Sequence, residues 1–144
     1  DMARRLNAGP GKDRSMNRDE LDALLHVNNV RYFVWFERLR IRFMEIHGIG
    51  TIGDPNSPRI VVRGGEVRYI SGMLRYLDYI FTTRCTEFRT TSLALHLTIW
   101  ANGTKRATFD CVMVLLKQDG SGRQTLPEQI KQKLITTDGA VPAP

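Results

Sequence analysis

The feature that most constrains the fold of this chain is residues 28–47, in which apolar side chains recur at steps of three and four. This spacing predicts an amphipathic helix of about five turns. One set of apolar positions comprises Tyr32, Trp35, Phe36, Leu39, Phe43 and Ile46. A second set, on another side, comprises Val30, Val34 and Ile41. Only a narrow charged stripe is left for solvent, so we expect other structure to surround this helix over most of its circumference.

After the helix, the period of the sequence changes from helical to alternating. Strands are predicted at residues 60–70, 78–89, 93–100 and 107–117. Asn102-Gly103 predicts a tight hairpin between the last two, and Gly64-Gly65 predicts a bend or bulge in the first. A short helix is expected over residues 127–134. This order predicts an α+β fold, with one long central helix and an antiparallel sheet of about five strands.

The chain has 144 residues, which suits one compact domain. We expect residues 15–135 to form that domain, residues 1–14 to be a flexible N-terminal arm and residues 136–144 to be a disordered tail, because both ends are poor in large apolar side chains. Cys85 and Cys111 lie in predicted strands, with no cysteine or histidine pattern beside them. They predict two buried thiols rather than a metal site.

Charge and hydropathy narrow the possible partners. No apolar run is long enough for a membrane span or a secretory signal, which favours a cytoplasmic protein. The net charge is +6, and the arginines are spread along the sequence rather than gathered in one block. This balance suits an anionic partner, such as a nucleotide phosphate or an acidic carrier protein, and gives no indication of nucleic-acid binding.

A carboxylate, an imidazole and two amides stand directly before the predicted helix, at Asp22, His26, Asn28 and Asn29. The first N–H groups of a helix lack intrahelical partners, and the helix dipole favours negative charge there. A base or nucleophile and a site for a developing oxyanion can therefore occur together. The alternative is structural, with Asp22 as a turn or cap residue, His26 bonded to loop backbone and the asparagines as helix caps.

The segment from Asp22 to Tyr32, Asp-Ala-Leu-Leu-His-Val-Asn-Asn-Val-Arg-Tyr, resembles the helix-entry motif of the hotdog-fold thioesterases related to 4-hydroxybenzoyl-CoA thioesterase. Its second half is also similar to the same segment of plant acyl-ACP thioesterases. The resemblance covers about residues 18–135. It implies a hotdog fold, in which a curved antiparallel sheet wraps the central helix. It also implies hydrolysis of acyl-CoA or acyl-ACP with no metal or prosthetic group, in a homodimer or homotetramer whose sites lie between subunits.

The resemblance also assigns roles to residues. Asp22 matches the second Asp of the family's Asp-x-Asp pattern, the position that serves as general base or nucleophile, and His26 would assist it. Backbone amides near residues 27–30 would be the oxyanion donors. The residues expected to contact substrate are Leu25, Val27, Asn28, Asn29, Val30 and Tyr32. Core packing is the other interpretation of Tyr32, since it shares a helix face with Phe36.

Three positions depart from the family pattern. Leu24 stands where the plant enzymes have Asn, Leu25 stands where Gly is usual, and Glu20 replaces the first Asp. A non-catalytic protein that binds acyl thioesters is therefore an alternative. A hydratase or dehydratase is a weaker one, because its usual motifs are missing.

The helix and the strands contain further charged candidates. Glu37 is the second candidate carboxylate for catalysis, although it is also expected to form an i, i+3 pair with Arg40. Contacts to the phosphates of coenzyme A are possible from Arg59, Arg63, Arg68 and Arg75, for which a solvated face is the alternative.

Overall fold

A computed structural model describes residues 29–50, 54–72 and 78–144, together with the backbone of residues 4–6. The elements in chain order are β1 (Arg4–Leu6), α1 (Asn29–His47), β2 (Arg59–Tyr69), β3 (Tyr79–Phe88), β4 (Ser92–Ala101), β5 (Thr104–Leu116), α2 (Glu128–Asp138) and β6 (Val141–Pro142). The strands form one sheet in the order β1-β3-β4-β5-β2, all antiparallel, and the two-residue β6 pairs in parallel with β3. The predicted α+β fold, with a long helix and a largely antiparallel sheet, is confirmed.

Helix α1 packs one face against the sheet. Its buried residues are Tyr32, Trp35, Phe36, Leu39, Phe43, Met44 and His47. The alternate residues of β4 and β5 complete the core, namely Leu93, Leu95, Leu97, Ile99, Ala107, Phe109, Cys111, Met113 and Leu115. Aromatic rings join the two layers, with ring centroids 5.2 Å apart for Phe36 and Phe109 and 6.1 Å apart for Trp35 and Phe81. The apolar side chains at every second position of these strands therefore face the helix, as predicted.

The opposite face of α1 differs from the sequence expectation. Val30, Phe33 and Ile41 are 62%, 49% and 51% exposed in the single chain. A sheet covers one side of a helical cylinder, so these side chains are left to water or to another molecule. The expectation that the helix would be surrounded over most of its circumference is wrong for one copy of this chain.

Strand β2 forms one edge of the sheet. Of its 11 residues, only Ile60 and Val67 are partly buried and none is fully buried. Its pairing with β5 shifts between Val62 and Gly64, which confirms the predicted bulge. Gly65 lies so close to β5 that a Cβ atom there would clash with Cε2 and Cζ of the Phe109 ring. The absence of a side chain at Gly65 therefore gives Phe109 its position.

The C-terminal segment corrects another expectation, because residues 136–144 are not a disordered tail. Helix α2 continues to Asp138, which is buried, and a carboxylate oxygen of Asp138 accepts the backbone N–H of Cys85 at 2.8 Å. Gly139 ends the helix with φ of 68°, donating its N–H to the carbonyl of Ile135. Beyond it, β6 pairs with the end of β3, and the N–H of Ala143 donates to the carbonyl of Phe88.

The prediction of a disordered tail was wrong because a contact between residues distant in sequence holds this segment. Strand β3 has a bulge between Cys85 and Glu87, and the carboxylate that accepts the Cys85 N–H comes from a residue 53 positions later. At the other end, Arg4–Leu6 of the predicted flexible arm form β1, and the rest of that arm lies outside the described residues.

Candidate functional site

The N-terminal end of α1 lies beside the end of β2. The ring of Tyr32 meets the edge of the Tyr69 ring with centroids 5.0 Å apart and the Trp35 ring at 5.9 Å. Tyr32 is only 5% exposed, so it packs in the core, as one of its two interpretations predicted. Asn29 and Val30 are exposed at the first turn of the helix. The helix begins at Asn29, so this residue belongs to the helix rather than standing before it.

The structure describes only part of the predicted site. Asn29, Val30 and Tyr32 are described, whereas the remaining candidates lie outside the described residues, namely Asp22, Leu25, His26, Val27 and Asn28. Leu24 and Glu20 fall in the same segment. The proximity of Asp22 and His26 to the first turn of α1 therefore stays a prediction, carried by the sequence motif.

Glu37 and Arg40 do not form the predicted ion pair. In the part of the chain that the structure describes, Arg40 has no carboxylate partner, and its guanidinium lies over the Phe109 ring, 5.4 Å from the ring centroid. Contact with an aromatic face is attractive for a cation because of the ring quadrupole. An ion pair of α1 that does form joins Arg42 to Glu45 at 3.4 Å, and both side chains are largely exposed.

Exposed apolar side chains occur on the first turns of α1 and on β2. We call four of them, Val30, Phe33, Val62 and Tyr69, the α1–β2 surface. Val62 pairs with Met113 and Tyr69 with Ala107, both core residues, so the β2 side chains stand on the helix-facing side of the sheet.

The Phe109 ring packs against Phe33 of this surface, with ring centroids 6.4 Å apart. Sequence reasoning did not identify Phe33 or Phe109 as part of a site. The pair of glycines in β2 was the available signal, because a missing side chain often marks a close approach of another group.

His96 belongs to the other face of the sheet. Its Nδ1 is 2.6 Å from a carboxylate oxygen of Asp110, and its Nε2 is 3.2 Å from the hydroxyl of Thr98. Its neighbours Leu95 and Leu97 point towards α1 and are buried, so His96 points away from the helix. Its imidazole does not share a site with the N-terminus of α1.

Neither cysteine has the character of a nucleophile. Both are buried, as predicted. Burial, with a smaller contribution from the nearby Asp138 carboxylate, raises the pKa of the Cys85 thiol to about 12. Burial likewise raises the pKa of Cys111, to about 11. A thiol attacks as its thiolate, so these groups are inert near neutral pH.

The raised pKa of the Cys85 thiol predicts that the free energy of unfolding falls at alkaline pH. An unfolded Cys85 releases its proton near its ordinary pKa of 9.0, whereas the folded protein keeps it until about pH 12. Across that interval the folded state binds more protons, so the free energy of unfolding falls as the pH rises. Urea unfolding at pH 8 and pH 10.5 should show this fall, and Cys85→Ala should show a smaller one. Equal falls in the two proteins would contradict the assignment.

Two structural features bear on the classes of function. Among the described residues, no group of three or more His, Cys, Asp or Glu side chains could hold a metal ion. Within the same ranges, neither helix combines the length and the apolar character that crossing a membrane requires.

The chain is similar to known proteins both in sequence and in structure. The sequence pattern of the thioesterase-like superfamily matches residues 17–134. The crystal structure of a thioesterase superfamily protein from Jannaschia sp. CCS1 is 35% identical, with a TM-score of 0.81, covering 89% of this chain and 82% of its own. The structure of a thioesterase from Thermus thermophilus, complexed with coenzyme A and Zn, is 26% identical, with a TM-score of 0.69, covering 88% of this chain and 92% of its own. A search of curated proteins found no match.

Proposed function

The chain belongs to the thioesterase-like superfamily and has the hotdog fold, and from this premise we propose that it hydrolyses acyl-CoA or acyl-ACP thioesters. The observation that carries the proposal is the extent of the family match, which spans α1, all four long strands and most of α2 together with the segment that leads into α1. The coenzyme A bound to the Thermus thermophilus relative supports the CoA thioester as substrate. A cytoplasmic location stays a prediction of the sequence.

Asp22 is the proposed catalytic carboxylate. As general base, it takes a proton from water while the water oxygen bonds to the thioester carbonyl carbon. The carbon–sulfur bond then breaks, and the thiolate takes a proton to leave as the free thiol, with His26 as the assisting group. As nucleophile, Asp22 would instead form an acyl anhydride that water hydrolyses. Neither route needs a metal or a prosthetic group.

The start of α1 is the proposed place for the developing oxyanion. Backbone N–H groups near residues 27–30 would be the donors, since the first N–H groups of a helix lack intrahelical partners and the helix dipole favours negative charge there. Leu25, Asn28 and Asn29 are the proposed substrate contacts around them. The exposed apolar side chains of Val30 and Phe33 support an acyl group lying on the α1–β2 surface.

A screen of acyl-CoA thioesters with a colorimetric reagent for free thiols tests the proposal. We expect thiol release at a rate well above the uncatalysed rate for at least one acyl class. Tight binding of acyl-CoA without thiol release would instead favour the alternative, a non-catalytic acyl-thioester-binding protein, which Leu24 and Leu25 make plausible. Hydration of a 2-enoyl-CoA without hydrolysis would favour the weaker hydratase alternative.

We further propose that two copies of the chain join through β2 and the α1–β2 surface, as a homodimer that can pair again to a homotetramer. On the other side of the sheet, β1 and β6 both pair with β3, which leaves β2 as the long edge strand without a described neighbour on its outer side. An exposed edge with apolar side chains is typically covered by another chain. The proposed sites would then lie between the subunits.

A charge at Val62 tests this arrangement. Val62→Lys should convert the assembly into single chains and lower thiol release, because a buried ammonium without a partner is unfavourable in an interface. Ile80→Lys is the matched control, since Ile80 is about equally exposed but lies on β3. Sedimentation velocity measures the size of each variant. An unchanged size for Val62→Lys would contradict the proposed interface.

A further inference from the structure

We infer, on the basis of the proposed function, that Arg40 selects acyl thioesters whose acyl group ends in a carboxylate. The preferred substrate class would be medium-chain dicarboxylic acids joined to the carrier thiol through one end. Arg40 would contact the far end of the acyl group and not the reacting carbonyl.

The setting of Arg40 differs from that of its neighbours on α1. Arg38 and Arg42 are exposed, and Arg42 has Glu45 as an ion-pair partner. Arg40 is only partly exposed, and its guanidinium lies against the apolar ring of Phe109. Within the described ranges, no carboxylate or carbonyl oxygen accepts a hydrogen bond from it. The charge is therefore partly removed from water without an anionic partner among the described residues, which is unfavourable unless a ligand supplies one.

The chemistry of the guanidinium indicates which ligand fits. Its planar set of N–H donors matches the two oxygens of a carboxylate, while its face can stay in contact with the Phe109 ring. A methyl group at the end of an acyl chain would leave these donors without an acceptor. A carboxylate at that position would pair with the charge and would still allow apolar contact along the rest of the chain.

The position of Arg40 sets the length of the acyl group. Arg40 comes three turns after Asn29, roughly 16 Å along the helix axis, and helical side chains tilt back towards the N-terminus. Between the two ends of this path lie Phe33 and the Phe109 ring, which the close approach of Gly65 holds in place. An acyl group whose thioester is at the start of α1 can reach Arg40 with a chain of medium length.

Two thioesters of equal length test the inference. We propose to measure kcat/KM for octanedioyl-CoA and octanoyl-CoA with the full chain. We expect the wild-type protein to prefer octanedioyl-CoA at least tenfold. Arg40→Met should lose that preference, because activity on octanedioyl-CoA should fall at least tenfold more than activity on octanoyl-CoA. Arg38→Met, on the exposed side of the same helix, should keep the wild-type ratio.

Several results would overturn the inference. They are a wild-type preference for octanoyl-CoA, an equal effect of Arg40→Met on both thioesters, and an unchanged ratio in Arg40→Met. Dissociation of the assembly by Arg40→Met, with the ratio unchanged, would show that Arg40 instead pairs with a second copy. If no acyl-CoA thioester is hydrolysed in the screen described above, the proposed function fails separately. Titration calorimetry of the two thioesters then decides the inference, since the same tenfold ratio is expected in affinity.

Discussion

Replacement of Asp22 by Asn is expected to lower kcat/KM for a good acyl-CoA substrate at least about 100-fold, since general-base catalysis typically contributes a factor of about 10² to 10⁴. The amide is close to the carboxylate in size but cannot take a proton from water or form an acyl anhydride. The binding surface should be preserved, so the loss should fall mainly on kcat rather than on KM. Thiol release under steady-state conditions measures both constants.

The control for this variant lies in the same segment. Asp19→Asn changes the same functional group three residues earlier, at a position to which the motif assigns no role, and should leave kcat within about twofold. Circular dichroism and thermal unfolding should be unchanged for both variants. Full turnover by a folded Asp22→Asn protein would exclude Asp22 as base and as nucleophile, and Glu37 would become the carboxylate to test.

Removal of residues 136–144 is expected to lower the free energy of unfolding by roughly 3 kcal/mol or more. The deletion takes away the buried Asp138 carboxylate and leaves the backbone N–H of Cys85 without its acceptor. It also removes Gly139 and Ala140, whose N–H groups donate to the carbonyls of Ile135 and Leu134 at the end of α2. Urea unfolding, with the slope checked for a two-state transition, measures the change.

Point variants separate the causes of this loss. Asp138→Ala should reproduce most of it, whereas Asp138→Asn keeps an acceptor oxygen towards Cys85 and should cost less. A chain that lacks only Pro144 should unfold like the wild type, since Pro144 is exposed. If the nine-residue deletion has no effect on stability, the docking of the tail on β3 is wrong and the original expectation of disorder is correct.

The sequence alone predicted those parts of the fold that depend on the local spacing of apolar residues. The helix begins and ends within one residue of its prediction, and β4 buries Leu93, Leu95 and Leu97 as the alternation predicted. Asn102-Gly103 forms the predicted hairpin turn, with both residues at positive φ. These features follow from neighbouring residues alone, since side-chain direction repeats every 3.6 residues in a helix and every second residue in a strand.

The parts that could not be predicted depend on contacts between distant residues. Arg40 lies over Phe109, 69 positions later, and this contact takes the place of the pair with Glu37 expected from helix spacing. The buried position of Asp138 likewise depends on the bulge of β3. The candidate site is a different case, because Asp22 and His26 were identified by the motif and lie outside the described residues.

The close approach of Gly65 to Phe109 has a consequence for how related proteins can diverge. A single methyl group at position 65 would clash with the Phe109 ring and force a shift of this ring, which contacts Phe33 and Arg40. A substitution of Gly65, which does not contact the substrate, would therefore change the shape of the proposed acyl site and the position of the Arg40 guanidinium in it. Two relatives that differ at position 65 would then differ in substrate preference, although every residue that contacts the substrate is the same in both.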